Sequence, residues 1–190
     1  LNDADTDSVN VTYNWYVHNV SITVLNMHMT NKMYSANRNT TFDFSGYNNY
    51  GVITDARYNT TGKIGGAYWF SGINNNNIRM PLSTSLNMMN TTGNLTLEAW
   101  VWADGVGTTA GVDQHIVSKH GLSGSTGYAL IIDGGVPSMW IGPDQSSKAG
   151  IASITPGRWY HLVGVWNGTS CMIYVNGTNY GGSTSCVSLP

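Results

Sequence analysis

Charge is the scarcest commodity in this chain. Asp, Glu, Lys and Arg make up 9% of its 190 residues, and the net charge is −2, where ordinary soluble domains carry about 25% charged residues. The eight basic residues are scattered, which leaves no basic patch for nucleic acid, and there is no acidic run for a cationic partner. No apolar run nears the roughly 18 residues of a membrane-spanning helix, and no segment sustains the 3.6-residue helical period. Glutamate occurs once, as Glu98. Its neighbours on one strand face would be Thr96 and Trp100, so the paired carboxyls that glycoside hydrolysis requires do not stand together. No Ser occupies a G-x-S-x-G elbow. The five histidines lack metal-ligand spacing, His115 and His120 being a weak pair, and His161 reads as a packed core histidine. The chain is expected to be non-catalytic.

Polar uncharged residues and aromatics are plentiful. Eight Asn-x-Ser/Thr triplets occur, at Asn10, Asn19, Asn39, Asn59, Asn90, Asn94, Asn167 and Asn176. An Asn- and Thr-rich chain makes such triplets by chance, but N-linked glycans on several would supply the hydration that charge does not. The two cysteines, Cys171 and Cys186, read as a disulfide, which would stabilise by about 3 kcal/mol in the chain-entropy model; two buried thiols are the alternative. Both features suit an extracellular or cell-surface chain. The chain begins at Leu1 and is read as a processed chain or one repeat of a longer one.

The strand signals are densest in RWYHLVGVWNGTSCMIYVNGT, Arg158 to Thr178. Asn167-Gly168 reads as a hairpin turn with both central residues at positive φ, and Asn176-Gly177 as a second turn. Trp159, His161, Val163 and Val165 share one face, and Tyr160, Leu162, Gly164 and Trp166 the other. Both faces are mostly apolar, so the hairpin is expected to be covered on both sides. NLTLEAWVWA forms a long strand, with Leu95, Leu97, Ala99 and Val101 facing one way and Thr96, Glu98, Trp100 and Trp102 the other. HIVSK, GYALIID, PSMWIG and AGIASI follow as shorter strands.

The N-terminal stretch differs. Val9, Val11, Tyr13, Trp15 and Val17 alternate with polar positions, as a half-buried strand would, and VSITVL follows after His18-Asn19. Two such strands alone expose an apolar face and unpaired edges. They are expected to pair with a copy of the chain or an adjacent repeat by strand addition, and a head-to-tail contact that does not close makes a fibre. Residues 1–30 are therefore an N-terminal strand pair, 31–62 a polar connector and 63–190 the main domain.

The main domain resembles laminin-G-like, concanavalin A-like jelly rolls. The resemblance is carried by Trp159, His161, Asn167-Gly168-Thr169 and Ile173-Tyr174-Val175-Asn176-Gly177 in the closing hairpin, by the A-W-V of the long strand, and by Gly62, Gly65, Ala67, Phe70, Gly72, Ile78 and Pro81. A further block, Asp43, Ser45, Gly46, Tyr47, Asn49 and Gly51, matches upstream. The N-terminal pair is similar to the last strands of immunoglobulin-like repeats in microbial surface proteins. The resemblance implies an all-β fold: a two-sheet antiparallel jelly-roll sandwich with an N-terminal strand extension. It also implies that the E-x-D-x-x-E of glucanases with this fold is missing here. Calcium is the one plausible cofactor: Asp3, Asp5 and Asp7 are spaced as D-x-D-x-D but lack the glycine and terminal acid of a hand-type loop, and the resemblance adds the loop residues Asp104, Asp113, Asp133 and Asp144 as weak candidates. Family members often bind carbohydrate, and Trp100, Trp102, Trp140 and Trp166 are the candidates for stacking on sugar, although aromatics also serve as core.

The function expected from the residues is a glycosylated, non-catalytic structural subunit that assembles into a surface filament or sheath through its N-terminal strands. The alternative is a monomeric carbohydrate-binding or adhesion module.

Overall fold

In a computed structural model, residues 14–29, 39–72, 75–87, 94–104, 113–119, 127–142, 153–183 and 186 are described. Among them every regular element is a β-strand, every pairing is antiparallel, and no helix is long and apolar enough to cross a membrane. The chain forms two compact units, Leu1–Asn87 and Met88–Pro190. The boundaries expected at 30/31 and 62/63 both lie within the first unit, in which hydrogen bonds join residues 24–26 to the segment around Asp43.

The first unit holds β1 (Tyr16–Val17), β2 (Val20–Ser21), β3 (Thr40–Thr41), β4 (Gly51–Thr54), β5 (Arg57–Asn59), β6 (Ala67–Trp69) and β7 (Asn77–Arg79). Strands β1 and β2 form a hairpin whose two turn residues, His18 and Asn19, have φ of 49° and 64°. Two successive positive φ values give the turn a twist that matches the strands. Strands β3, β4 and β7 form one sheet, and β5 and β6 another. Gly51 is required where β4 passes β3: a Cβ there would lie 2.9 Å from Thr41 Cγ2.

Asp43 is the polar centre of this unit. It is buried, and a buried carboxylate must be saturated with donors. Its Oδ1 accepts from the backbone N–H of Asn26 and of Ser45, both at 2.9 Å. Its Oδ2 accepts from the Ser45 hydroxyl at 2.7 Å and the Asn49 N–H at 2.8 Å. Asn49 Nδ2 in turn donates to the Val24 carbonyl at 2.7 Å. Residues 24–26 are thereby fastened to the 43–49 loop. Beside it His28 stacks on Phe44 with ring centroids 4.6 Å apart, and burial lowers the His28 pKa.

The second unit is a sandwich of two sheets. One has the order β11 (Val136–Ile141), β10 (Tyr128–Asp133), β9 (Asp113–Lys119), and the other β14 (Thr178–Ser183), β13 (Cys171–Val175), β12 (Arg158–Trp166), β8 (Leu95–Ala103). Leu130, Met139 and Ile141 from the first sheet join Leu97, Leu162 and Ile173 from the second in one buried cluster. Gly164 allows the sheets to approach, since a Cβ at that position would stand 2.6 Å from Met139 Sδ. Cys171 and Cys186 are joined by a disulfide with a Cα–Cα distance of 5.7 Å.

Two local expectations change. Strands β12 and β13 pair up to Trp166↔Cys171, so Asn167 to Ser170 is a four-residue loop. Only Gly168 there has positive φ, at 93°. Asn167 Oδ1 accepts from the N–H groups of Thr169 and Ser170 at 3.1 and 2.8 Å, a side-chain turn that replaces the two-residue type. The two-residue turn is at Asn176 and Gly177, with φ of 51° and 81°. Second, β12 is covered on one side only. Tyr160, Leu162, Gly164 and Trp166 are buried, whereas Trp159, His161, Val163 and Val165 are half-buried.

Candidate carbohydrate-binding face

The outward face of β8, β12 and β13 follows from strand alternation. Leu95 and Leu97 of β8 point into the core, which turns Thr96, Glu98, Trp100 and Trp102 outward. The register sets Trp102 opposite Trp159, Trp100 opposite His161, and Glu98 opposite Val163. Tyr174 of β13 lies opposite Val163 on the next strand. Cross-strand partners on one face lie close enough for their rings to touch. Trp102 meets Trp159 edge to face with centroids 5.8 Å apart, and Trp100 lies against the His161 ring at 5.0 Å and 31°. Trp100 and Trp102 are 41% and 46% exposed. Glu98 Oε2 is 3.6 Å from His161 Nε2, and the Glu98 side chain is 67% exposed. The result is a largely aromatic surface that also carries the Glu98 carboxylate. Such a surface can stack the apolar faces of sugar rings and accept hydrogen bonds from their hydroxyls.

Of the four tryptophans named for stacking, Trp100 and Trp102 are on this face. Trp140 and Trp166 are not: each is 5% exposed. Trp166 belongs to the buried cluster between the sheets, and Trp140 packs with Ala129 and Ile131 on the other face of β10 and β11. Both are buried rather than presented on this face. His161 was expected in the core and instead flanks Trp100. Alternation had already placed Trp159 and His161 together; the missing signal was which face of β12 pointed inward.

The remaining candidates are dispersed. Asn19, Asn39, Asn59, Asn94, Asn167 and Asn176 are exposed, and Asn10 and Asn90 lie outside the described residues. Asn176 Oδ1 accepts from the His161 N–H at 3.0 Å. Asp3, Asp5, Asp7, Asp144 and His120 lie outside the described residues. Asp104 is exposed at the end of β8, while Asp113 and Asp133 face each other across β9 and β10, in strands rather than loops. Among the described residues no three His, Cys, Asp or Glu side chains gather as a metal site would need. His115 packs edge-on to Trp140 at 5.9 Å. Of the proposed inter-subunit strand, Val9, Val11 and Tyr13 lie outside the described residues. Trp15 and Val17 are 68% and 52% exposed, but so is Tyr16, at 61%. The described part of that strand is therefore open on both faces rather than half-buried, because β1 has two residues and only β2 beside it.

Among curated proteins, none matches the sequence. Among solved structures, the binding domain of Paraclostridial Mosquitocidal Protein 1 superposes with a TM-score of 0.60 at 16% identity, over 76% of this chain and 37% of that one. The binding domain of botulinum neurotoxin DC, in complex with rat synaptotagmin II, gives 0.55 at 15% identity, over 87% and 41%. An S-layer domain-containing protein of Clostridium thermocellum, residues 221–444, gives 0.53 at 20% identity, over 87% and 74%. This chain thus spans well under half the length of the two toxin binding domains, and at these identities the likeness is one of fold. A laminin-G family model, that of the concanavalin A-like lectin/glucanases superfamily, matches residues 71–190. With that match covering more than half its length, and with two antiparallel sheets packed over one core in its second unit, the chain belongs to the concanavalin A-like lectin/glucanases superfamily.

Proposed function

We propose that this chain is a non-catalytic carbohydrate-binding module that takes up glycans on the outer face of β8, β12 and β13. The observation that carries the reading is the exposure of Trp100 and Trp102 on a sheet whose other face is core. Large aromatic rings left open to water contribute little to the fold and much to a ligand. The superfamily includes lectins, and two of the similar structures are binding domains, which supports the reading. Its non-catalytic character is supported by the strand neighbours of Glu98 among the described residues: Thr96 and Trp100 beside it and Val163 opposite, none of them an acid. In this reading the module works outside the cell, where its disulfide persists and N-glycans on the exposed sequons supply hydration. A glycan array probed with wild type and with Trp100→Ala and Trp102→Ala tests it. Wild-type binding that each substitution weakens by about tenfold or more is expected, as loss of a stacking ring predicts. Glycan binding indifferent to both substitutions refutes it.

A second reading, assembly with copies of the chain or with an immunoglobulin-like repeat through the N-terminal strands, is favoured by one observation. Trp15, Tyr16, Val17, Val20 and Ile22 are each more than half exposed, more apolar surface than a short hairpin ordinarily leaves open. The backbone of residues 24–26 is nevertheless fastened to the chain's own Asp43 loop, so this segment does not wait wholly on a neighbour. Sedimentation velocity of wild type against Trp15→Ser/Val17→Ser decides it: concentration-dependent association abolished by the substitutions supports assembly, and a monomer at all concentrations rejects it.

A further inference from the structure

The charge on the aromatic face narrows the ligand. Outward positions of β8, β12 and β13 carry no Lys or Arg, and Glu98 is their one carboxylate. His161 is the one imidazole there, and its Nε2 faces Glu98 Oε2 at 3.6 Å. Arg158, exposed at the start of β12 and in the inward phase, holds its guanidinium 5.9 Å over the Tyr160 ring. A sialic or uronic acid bound here would meet a carboxylate and, among the described outward residues of these three strands, no arginine or lysine to pair with. Glu98 stands two residues before Trp100 on one strand face, roughly 7 Å along the strand. That places its oxygens at the rim of a ring stacked on Trp100. A carboxylate only accepts, and its two oxygens suit a pair of neighbouring sugar hydroxyls.

We infer that the ligand of this face is an uncharged glycan, oriented by Glu98 accepting from adjacent hydroxyls of the ring stacked on Trp100, and that glycans bearing a carboxylate are rejected. The inference rests on the proposed binding face and specifies its substrate class and its polar specificity residue. Glu98 is well exposed and holds no part of the core, so its substitution leaves the fold intact.

The test uses the full chain and a panel of neutral oligosaccharides, each matched with its sialylated counterpart, titrated by calorimetry against wild type, Glu98→Gln and Trp100→Ala. Wild type is expected to bind neutral members about tenfold or more tightly than their sialylated partners. Glu98→Gln is expected to lose about tenfold on the neutral set and to narrow the gap to the sialylated set. Binding that depends on Trp100 but shows no preference for neutral glycans, or is unmoved by Glu98→Gln, overturns this inference and leaves the binding face standing. Binding to neither set, or binding unaffected by Trp100→Ala, overturns the binding face and the inference together.

Discussion

The two sheets of the second unit are built from similar residues and treat them differently. On β10, Leu130 and Ile131 are consecutive and both fully buried, and on β11 Met139 and Trp140 are at 0% and 5% exposure. On β8 the adjacent Ala99 and Trp100 part company, and Trp100 is 41% exposed. The three-stranded sheet is covered on both faces at β10 and β11, and the four-stranded sheet on one. Where both faces are covered, every apolar side chain contributes to the fold. Where one face is open, the fold depends on alternate residues, and the others stay partly exposed to solvent.

The sharpest way to break this contrast is paired truncation. Leu130→Ala and Ile131→Ala should each cost about 2–5 kcal/mol, although they are neighbours facing opposite ways. Trp100→Ala and Trp102→Ala should each cost less than about 1 kcal/mol. Urea unfolding followed by circular dichroism measures all four. Reducing the Cys171–Cys186 bond, or making Cys171→Ser, should cost about 3 kcal/mol by the chain-entropy estimate for a loop of this size, read from the same curves with and without reductant. Gly164→Ala should cost about 1–3 kcal/mol by forcing a methyl against Met139, whereas the outward Val163→Ala beside it should cost distinctly less.

The smallest expected effect lies in the first unit and depends on pH. Burial holds the folded-state pKa of His28 below the ordinary imidazole value, which is about 6.5 in the unfolded chain. The folded state therefore binds fewer protons than the unfolded one in the window below that value. Stability is complete above pH about 6.5 and falls as pH drops through the window toward the folded-state pKa. His28→Phe should keep the stacking on Phe44 and flatten this dependence. A wild-type profile equally flat between neutral and mildly acidic pH contradicts it.

Much of this was legible in the sequence, and the limits have physical causes. The faces of β8 follow from Thr96 and Glu98, because two polar residues in alternation mark the wet side. On β12 no polar residue plays that part except His161, so the pattern gave two faces without saying which was inner. Trp140 and Trp166 could not be told from Trp100 and Trp102, because tryptophan suits a core and a ligand platform equally well. The Asn167-Gly168 pair reads as a two-residue turn, but pairing stops at Trp166 and Cys171, and register is set by the whole ladder rather than by the dipeptide. Asp43, Ser45 and Asn49 stood out through resemblance; that they saturate a buried carboxylate and secure residues 24–26 emerges only from their hydrogen bonds. The N-terminal alternation suggested a strand awaiting a partner, and the part described keeps Trp15 and Val17 exposed while fastening the residues that follow.

A ligand that meets this protein on its open aromatic face must perturb the tryptophans there. Indole N–H resonances from the seven tryptophans report on it directly during titration with a bound neutral oligosaccharide. Trp100, Trp102 and Trp159 should shift, while Trp140 and Trp166 stay in place. Shifts confined to Trp15 or Trp69, with the three face residues unmoved, would contradict it.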